Sequence, residues 1–317
     1  MIGLPAACVS GLFEFSAGYD KKPVTVMTQN FFDQRKKSNL SASHWKGDWI
    51  FRRKRLRLID DELRDYRPNI LFFQQMVERS GSEAESDKNI LSAGALLDYM
   101  WDQRVVSKYA DTGETSHMGT AVSAPLKVLE VEKSNKMWIF DESNYFVTSL
   151  IDLYKQPLLL VNVSVGPAGQ AKLEDFANKL HSTIRNIAKK SGVCKRRIVI
   201  AGRLPGEFVQ NAFLKTVTEL AMVDVASGQC QIASRCYTGT PNNQLFLAVY
   251  GDQSPSRNER ILVHKDTIVY SSERTLVKYD ENQDYVKKYG LASIWPTVDF
   301  GWVASVRFGL CADEGLR

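Results

Sequence analysis

The sequence lacks the patterns that mark several common classes of protein. It has five cysteines and four histidines but no Cys-x-x-Cys motif and no Cys/His cluster, which argues against a structural zinc site. No run of about 18 apolar residues occurs, so we expect no transmembrane helix. Internal repeats and low-complexity linkers are also absent, which favours one large domain. With 317 residues, 44% of them hydrophobic, the chain can bury a substantial core.

The first 22 residues contain no Lys or Arg before Lys21 and so lack the charged start of a signal peptide. We favour an extended arm that leads into the first strand, and the remnant of an export signal is the alternative. An exported (periplasmic) and a cytoplasmic location both stay open. We expect residues 1–22 to form this arm, residues 23–310 the domain and residues 311–317 a tail.

The cysteines allow two interpretations. Cys230 and Cys236 flank five residues and would close a small loop as a disulfide in an oxidising compartment. Free, partly buried thiols are the interpretation we favour for the five cysteines.

Apolar runs predict the buried strands. We expect Val24–Met27, Leu158–Val163, Val199–Ala201 and Phe300–Val306 to be central strands of two stacked sheets. Further strands are predicted near residues 70–73, 101–107, 119–124, 127–133, 136–141, 145–153, 244–250, 259–264 and 267–271. Hydrophobic periodicity predicts a long helix over 170–191 and others near 49–66, 87–99 and 207–218.

Several segments, taken in order, match a known pattern. They are VTVMTQN ending at Asn30, FFQQM with Gln74 and Gln75, VNVSV with Ser164, IAGRLPG at 200–206 and PTVDFGWVASVRF at 296–308. Together they resemble the endonuclease/exonuclease/phosphatase superfamily with the DNase I-like fold, whose members read T-x-N, Q-E, N-x-H, G-D-F-N, R-I-D and S-D-H-F-G in this order. The resemblance implies an α+β fold, a four-layer α/β/β/α sandwich of two mixed sheets.

Within this resemblance, Asn30 keeps the first site residue and most other site positions differ. The Glu after the Gln is Gln75, the His of N-x-H is Ser164, and the Asp and Asn of G-D-F-N are Arg203 and Pro205. If residues 260–262 are the R-I-D segment, its Asp is Leu262. When the segment is aligned on Phe300 and Gly301, Thr297, Val298 and Asp299 stand where the family has Ser, Asp and His.

These differences bear on catalysis, because a hydrolase of this family needs a divalent cation and a general base. The four positions that are acidic in the family carry Gln75, Arg203, Leu262 and Val298 here, so their summed charge is +1. Asp299 brings the net charge of the site to about zero. Mg²⁺ prefers carboxylate oxygens, and Arg203 would repel a cation about 4 Å away by on the order of 4 kcal/mol per unit charge. The resemblance therefore implies a catalytically inactive pseudoenzyme with no bound metal or other cofactor, which acts as a binding or scaffold module for another protein.

Two alternatives remain. A noncatalytic binder of nucleic acid or of a phosphorylated ligand would use Arg203 and the basic run at Arg52, Arg53, Lys54 and Arg55, although a solvated helix face explains that run as well. A metal-dependent phosphodiesterase or nuclease with a rearranged site would use Asn30, Asp33, Gln75, Glu78 and Asp299. The sequence does not indicate the oligomeric state.

Three further features have simple structural interpretations. Lys195, Arg196 and Arg197 are predicted to be a charged loop end. The aromatic stretch at 137–140 with Tyr145 and Phe146 is predicted to be sheet core with one wet face rather than a membrane-contacting hairpin. His181 is expected to be structural within its helix.

Overall fold

The predicted apolar runs form strands of two mixed β-sheets. The computed structural model of the chain describes residues 19–31, 48–76, 103–111, 114–129, 136–140, 144–166, 169–228, 230, 236–239, 254–275 and 300–311. In chain order the elements are β1 (Val24–Asn30), α1 (Asp48–Tyr66), β2 (Ile70–Met76), β3 (Gln103–Asp111), β4 (Glu114–Val122), β5 (Lys127–Val128), β6 (Lys136–Ile139), β7 (Asn144–Leu153), β8 (Gln156–Val165), α2 (Gln170–Lys190), β9 (Ile198–Arg203), α3 (Gly206–Gln210), α4 (Leu214–Glu219), β10 (Met222–Asp224), β11 (Glu259–His264), β12 (Ile268–Thr275) and β13 (Gly301–Arg307).

The first sheet has the strand order β12-β13-β1-β2-β4-β3. Its β1–β2 pair is parallel, with Asn30 opposite Gln74, and its other pairs are antiparallel. The second sheet has the order β10-β11-β9-β8-β7-β5, and β6 also pairs with β7. Its one parallel pair is β8–β9. Each sheet thus has a central parallel pair, as a strand–helix–strand crossover requires.

The alternating side chains of the strands sort into two faces. Val26, Phe72, Leu160, Ala201 and Trp302 belong to one apolar cluster between the sheets. On the outer face of the first sheet, α1 packs through its buried apolar residues, and α2 covers the second sheet in the same way. The four predicted central strands lie centrally in the two sheets, and the α+β four-layer sandwich is confirmed.

Some local predictions differ from the structure or lie beyond it. The helix predicted over 207–218 is two short helices, α3 and α4, because the turn at 211–213 interrupts it. The predictions for 87–99 and 244–250 fall outside the described residues. None of the described helices is both long and apolar enough to cross a membrane.

The aromatic stretch near β6 is only partly core. Tyr145 and Phe146 are buried as predicted, and Trp138 packs against the ring of Phe146. Ile139 is 65% exposed and Phe140 is 39% exposed, so part of the stretch faces solvent, as the predicted wet face allows.

Arg197 does not belong to a solvated loop end, because its side chain is completely buried. Its guanidinium donates to Asp20 Oδ1 (2.9 Å) and to the backbone carbonyls of Leu153 (2.9 Å) and Pro157 (3.1 Å). Arg307 donates to the Asp20 carbonyl. We call these five residues the Arg197 cluster. They lie where β1, β8 and β9 begin, and they join the segment before β1 to the second sheet.

The expectation of free thiols is wrong for four cysteines. Cys194 and Cys311 form one disulfide, and Cys230 and Cys236 form another. The second pair is the one that the spacing suggested, whereas the first joins residues 117 positions apart. Cys311, assigned to the tail, is therefore attached to the domain, and Tyr19 of the predicted arm pairs with Gly309.

Candidate functional site

Opposite the Arg197 cluster, the space between the sheets is lined by polar side chains. The parallel strands β1, β2, β8 and β9 all end here, and β11 begins here because it runs antiparallel to β9. The apolar layer between the sheets therefore gives way to polar residues on several neighbouring strands. We call this region the polar end and define it by Thr28, Asn30, Gln74, Asn162, Ser164, Arg203 and Glu259.

A buried amide pair links the two sheets at the polar end. Gln74 Nε2 donates to Asn162 Oδ1 at 2.6 Å. Asn162 Nδ2 donates to the backbone carbonyls of Phe73 (2.9 Å) and Gly119 (2.6 Å) in the first sheet. Both amide side chains are fully buried. Because buried polar groups are costly unless they are hydrogen-bonded, this pair fixes how the sheets meet.

The link continues through a hydroxyl to a carboxylate. Gln74 Nε2 also approaches Thr28 Oγ1 (3.4 Å), and the Thr28 hydroxyl donates to Glu259 Oε2 at 3.2 Å. Glu259 is fully buried at the start of β11. A chain of polar contacts thus runs from Asn162 in the second sheet through the first sheet and back to Glu259.

Arg203 is the positive residue of the polar end. It is the register partner of Ser164 on β8 and of Glu259 on β11, so it lies in one row across three strands. Ala201 and Leu204 belong to opposite apolar clusters, which places Arg203 on the inter-sheet side with Ala201. Arg203 is partly exposed, whereas Ser164 and Glu259 are buried. The row therefore places a partly exposed arginine in register with a buried carboxylate.

Two glycines allow the polar side chains to approach the backbone. Gly202 has φ +122°, and a Cβ there would lie 2.2 Å from the Val163 carbonyl oxygen and 2.9 Å from Asn162 Oδ1. A Cβ on Gly301 would lie 2.0 Å from Gln29 Oε1. Both positions are glycines in the G-D-F-N and S-D-H-F-G patterns, so the sequence signal reflects a real steric need.

The structure brings some predicted site residues together. Asn30 is buried at the end of β1 and Ser164 and Arg203 occupy the row on β8 and β9. Gln75 lies in β2 where the pairing with β4 shifts register between Phe73 and Met76. Pro205 directly precedes α3.

Other predicted residues lie elsewhere or beyond the described part. Leu262 is buried in the apolar cluster beneath α2, on the face opposite to the polar end. Arg52, Arg53, Lys54 and Arg55 lie in α1, but their side chains are outside the described residues, as are Asp33, Glu78, Val298 and Asp299.

Sequence reasoning missed a charged cluster beside the polar end. Asp224 accepts from Arg257 (2.6 Å) and Arg260 (2.9 Å), which flank Glu259 in the chain. Arg257 also lies over the Trp302 ring, 5.0 Å from its centroid. Burial lowers the pKa of the Arg257 guanidinium, and the Asp224 carboxylate opposes that shift. The signal available in the sequence was the segment Arg-Asn-Glu-Arg at 257–260.

The described part of the polar end fits Mg²⁺ poorly. Its oxygen donors are amides, hydroxyls and the single carboxylate of Glu259, and Arg203 brings a positive charge into the same row. Mg²⁺ is usually bound through one or two carboxylates together with substrate phosphates. Within the described ranges, no group of three or more His, Cys, Asp or Glu residues is placed to hold a metal ion.

Comparison with known proteins gives a structural likeness. No family model matches the sequence, and no curated protein is similar to it in sequence. An endonuclease/exonuclease/phosphatase family protein from Bacteroides thetaiotaomicron superposes with a TM-score of 0.57 at 10% identity, over 90% of this chain and 98% of that chain. TDP2 from D. rerio, complexed with a single-strand DNA product, gives 0.54 at 14% over 90% and 98%. A mannosyl-6-phosphatase from B. thetaiotaomicron gives 0.56 at 10% over 89% and 99%.

Proposed function

We propose, from the premise that this chain has the fold of the endonuclease/exonuclease/phosphatase superfamily, that it is a catalytically inactive member of that fold class. It acts as a binding or scaffold module, and its partner contacts the polar end. It carries no resident Mg²⁺ and no other cofactor. Because function depends on sites rather than on the fold, the polar end carries the argument.

The row Ser164–Arg203–Glu259 is the observation that supports this proposal. We assign Glu259, rather than Leu262, to the acidic position of the R-I-D pattern, because residues 257–259 read Arg-Asn-Glu and Glu259 faces the polar end. Arg203 stands at the acidic position of the G-D-F-N pattern, directly beside it in register. A guanidinium thus supplies the positive charge that a metal would supply, and it repels a second cation.

The rim of the polar end supports a protein partner. The exposed residues Ile139 and Phe140 lie at this end, since β6 ends where β7 begins and β8 finishes. Phe140 packs edge-on against Phe176 of α2, which fixes its ring at the surface. Clustered exposed apolar residues are typical of sites that bind other proteins.

A specific observation also favours the second candidate, a binder of single-stranded nucleic acid or of a phosphorylated ligand. The D. rerio TDP2 structure of the same fold contains a single-strand DNA product. In this chain, Arg203 is partly exposed at the polar end. The third candidate, a rearranged metal-dependent phosphodiesterase or nuclease, keeps Asn30 and Gln75 and gains one carboxylate from Glu259. Its other acids, Asp33, Glu78 and Asp299, lie beyond the described ranges.

Catalysis is tested by incubating the purified chain with plasmid DNA, RNA and sugar phosphates in Mg²⁺ or Mn²⁺. We expect no turnover above buffer and no saturable metal binding by calorimetry. Turnover that is abolished by Glu259→Gln and retained by Glu207→Gln, an exposed acid of α3, would refute the proposal and favour the rearranged enzyme.

Ligand class is tested by fluorescence anisotropy with a labelled single-stranded oligonucleotide over a range of salt concentrations. We expect weak binding that Arg203→Gln leaves within about twofold. The matched control is Arg196→Gln, an equally charged change near the Arg197 cluster. A loss of tenfold or more for Arg203→Gln alone would establish the nucleic-acid candidate instead.

A further inference from the structure

The disulfide between Cys230 and Cys236 is in direct contact with a positive charge. Arg257 Nη1 donates to Cys230 Sγ at 3.2 Å, while its Nη2 donates to Asp224 Oδ1 at 2.6 Å. The Cys194–Cys311 disulfide differs in this respect, since Cys311 Sγ accepts from the neutral backbone N–H of Cys194 at 3.3 Å. Cys230 is partly exposed and Cys236 is buried.

The charge beside Cys230 is not cancelled by Asp224. That single carboxylate also accepts from Arg260 Nη1 (2.9 Å), so two guanidinium groups share one negative charge. A neighbouring arginine stabilises a thiolate relative to its thiol. A disulfide whose reduced form is stabilised in this way is reduced more readily than one that lacks such a partner.

The chain beyond Cys236 is connected to the polar end. Thr238 Oγ1 accepts from the backbone N–H groups of Asn258 (2.7 Å) and Glu259 (3.1 Å). The Thr238 carbonyl accepts from the backbone N–H of Phe300 at 2.8 Å, directly before β13. The short segment after Cys236 thus holds the starts of β11 and β13, one in each sheet.

We propose that Cys230–Cys236 is a thiol–disulfide exchange site whose partner is a dithiol reductant, and that its redox state sets the position of Glu259 at the polar end. A reductant thiolate attacks one sulfur, the Cys230–Cys236 bond breaks, and a mixed disulfide forms. The second reductant thiol then displaces the protein sulfur. Two electrons pass to the protein and the reductant becomes a disulfide. Of the two thiol protons of the reductant, one goes to Cys236 and the other to solvent, so Cys230 remains a thiolate beside Arg257.

The redox order is tested on the whole chain. The protein is equilibrated in buffers of reduced and oxidised dithiothreitol, its free thiols are alkylated, and each cysteine pair is quantified by peptide mass spectrometry. We expect Cys230–Cys236 to be half reduced at a ratio of reduced to oxidised dithiothreitol at least tenfold lower than Cys194–Cys311 requires. Equal midpoints or the reverse order would overturn the proposal.

A matched pair of variants tests the role of the guanidinium. Arg257→Gln should require about a tenfold more reducing buffer, equivalent to about 30 mV, whereas Arg260→Gln, which removes the same charge from the same carboxylate, should shift the midpoint less than threefold. Equal shifts in both variants would contradict the assigned contact. If Arg257→Gln does not fold, the reduced wild type provides the test, because Cys230 should alkylate faster than Cys236 below pH 8, and equal rates would refute the assignment.

Coupling to the polar end is tested by hydrogen exchange of the wild type under conditions that reduce only Cys230–Cys236. Peptides that contain Asn258 and Glu259 should exchange several-fold faster after reduction, while peptides from residues 158–163 in β8 should not change. Unchanged exchange at Asn258 and Glu259 would refute the coupling.

Discussion

At the Arg197 cluster a completely buried guanidinium is held by one carboxylate and three backbone carbonyls, whereas at the polar end the residue Arg203 is partly exposed. Most buried groups of the polar end are neutral amides and hydroxyls. Both ends close the same pair of sheets. The difference indicates that one end is committed to holding the chain together, while the other carries a charged residue that is partly open to solvent.

The sharpest test of this difference is the substitution Arg197→Met. It leaves Asp20 as a buried carboxylate without its main counter-charge, and we expect a loss of about 3–5 kcal/mol in the free energy of unfolding. Burial already raises the pKa of the Asp20 carboxyl, so the loss should be smaller at pH 5, where the carboxyl can take up a proton. Urea denaturation at both pH values measures the effect.

The neighbouring change Arg196→Met is the control for Arg197→Met. Arg196 forms an exposed ion pair with Asp266 at 3.2 Å, and its removal should cost less than about 1 kcal/mol. Similar losses for the two variants would show that the Arg197 cluster contributes no more than a surface pair.

Gly202→Ala tests how closely the backbone of β9 packs against that of β8 at the polar end. The new Cβ would meet the Val163 carbonyl oxygen at a backbone conformation that side chains rarely adopt, and we expect a loss of about 3 kcal/mol. Gly192→Ala is matched in the sign of φ (+65°) but meets nothing within 4 Å, so it should cost only about 1 kcal/mol. Thermal unfolding of the two variants compares them, and equal costs would mean that the contact at Gly202 relaxes freely.

Asn162→Ala tests whether neutral groups alone hold the sheets together at the polar end. The change removes three hydrogen bonds, including the bond from Gln74, and we expect a loss of about 2 kcal/mol in the free energy of unfolding. Ser182→Ala, which removes an exposed bond to the Lys179 carbonyl, should cost less than about 0.5 kcal/mol. A loss under 1 kcal/mol for Asn162→Ala would contradict the proposed role of the amide pair.

The smallest expected effect is a pH dependence that arises near the Arg197 cluster. Burial lowers the pKa of His264. Asp266 raises this pKa, whereas the positive charges of Arg196, Lys265 and Lys195 lower it. As the pH falls, His264 is therefore protonated in the unfolded state before it is protonated in the folded state. Its contribution to the free energy of unfolding is fully present above the ordinary histidine pKa and decreases as the pH falls below that value.

We expect a decrease of less than about 1 kcal/mol between pH 7.5 and 5.5, which His264→Gln reduces. Burial also lowers the pKa of His181, so part of the dependence should remain in the variant. A variant His264→Gln whose stability decreases more steeply on acidification than that of the wild type would show that the sign assigned to His264 is wrong.

The sequence was sufficient to predict most of the fold because the signal is local. Runs such as those in β8 and β9 are apolar on both faces, as strands buried between a sheet and a helix must be. The period of α2 and the two family glycines were equally clear. Asn30, Ser164 and Arg203 could be assigned to site positions because each stands in a local motif that resembles a family pattern.

What could not be predicted depends on contacts between distant residues. Arg197 looked like a surface charge, because its carboxylate partner Asp20 lies 177 positions away. Choosing between Glu259 and Leu262 required the face of β11, and a shift of one residue reverses that face. The partner of Cys194 lies 117 positions away, a separation that no local spacing indicates.

The position of the Cys194–Cys311 disulfide has a consequence for how the sandwich can move. It joins the residue before the 195–197 turn that leads into β9 to a residue shortly after β13, so it ties the second sheet covalently to the first beside the Arg197 cluster. At the polar end, the links between the sheets found among the described residues are hydrogen bonds. We therefore expect any separation of the two sheets to be smallest at the Cys194–Cys311 disulfide and largest at the polar end near Arg203.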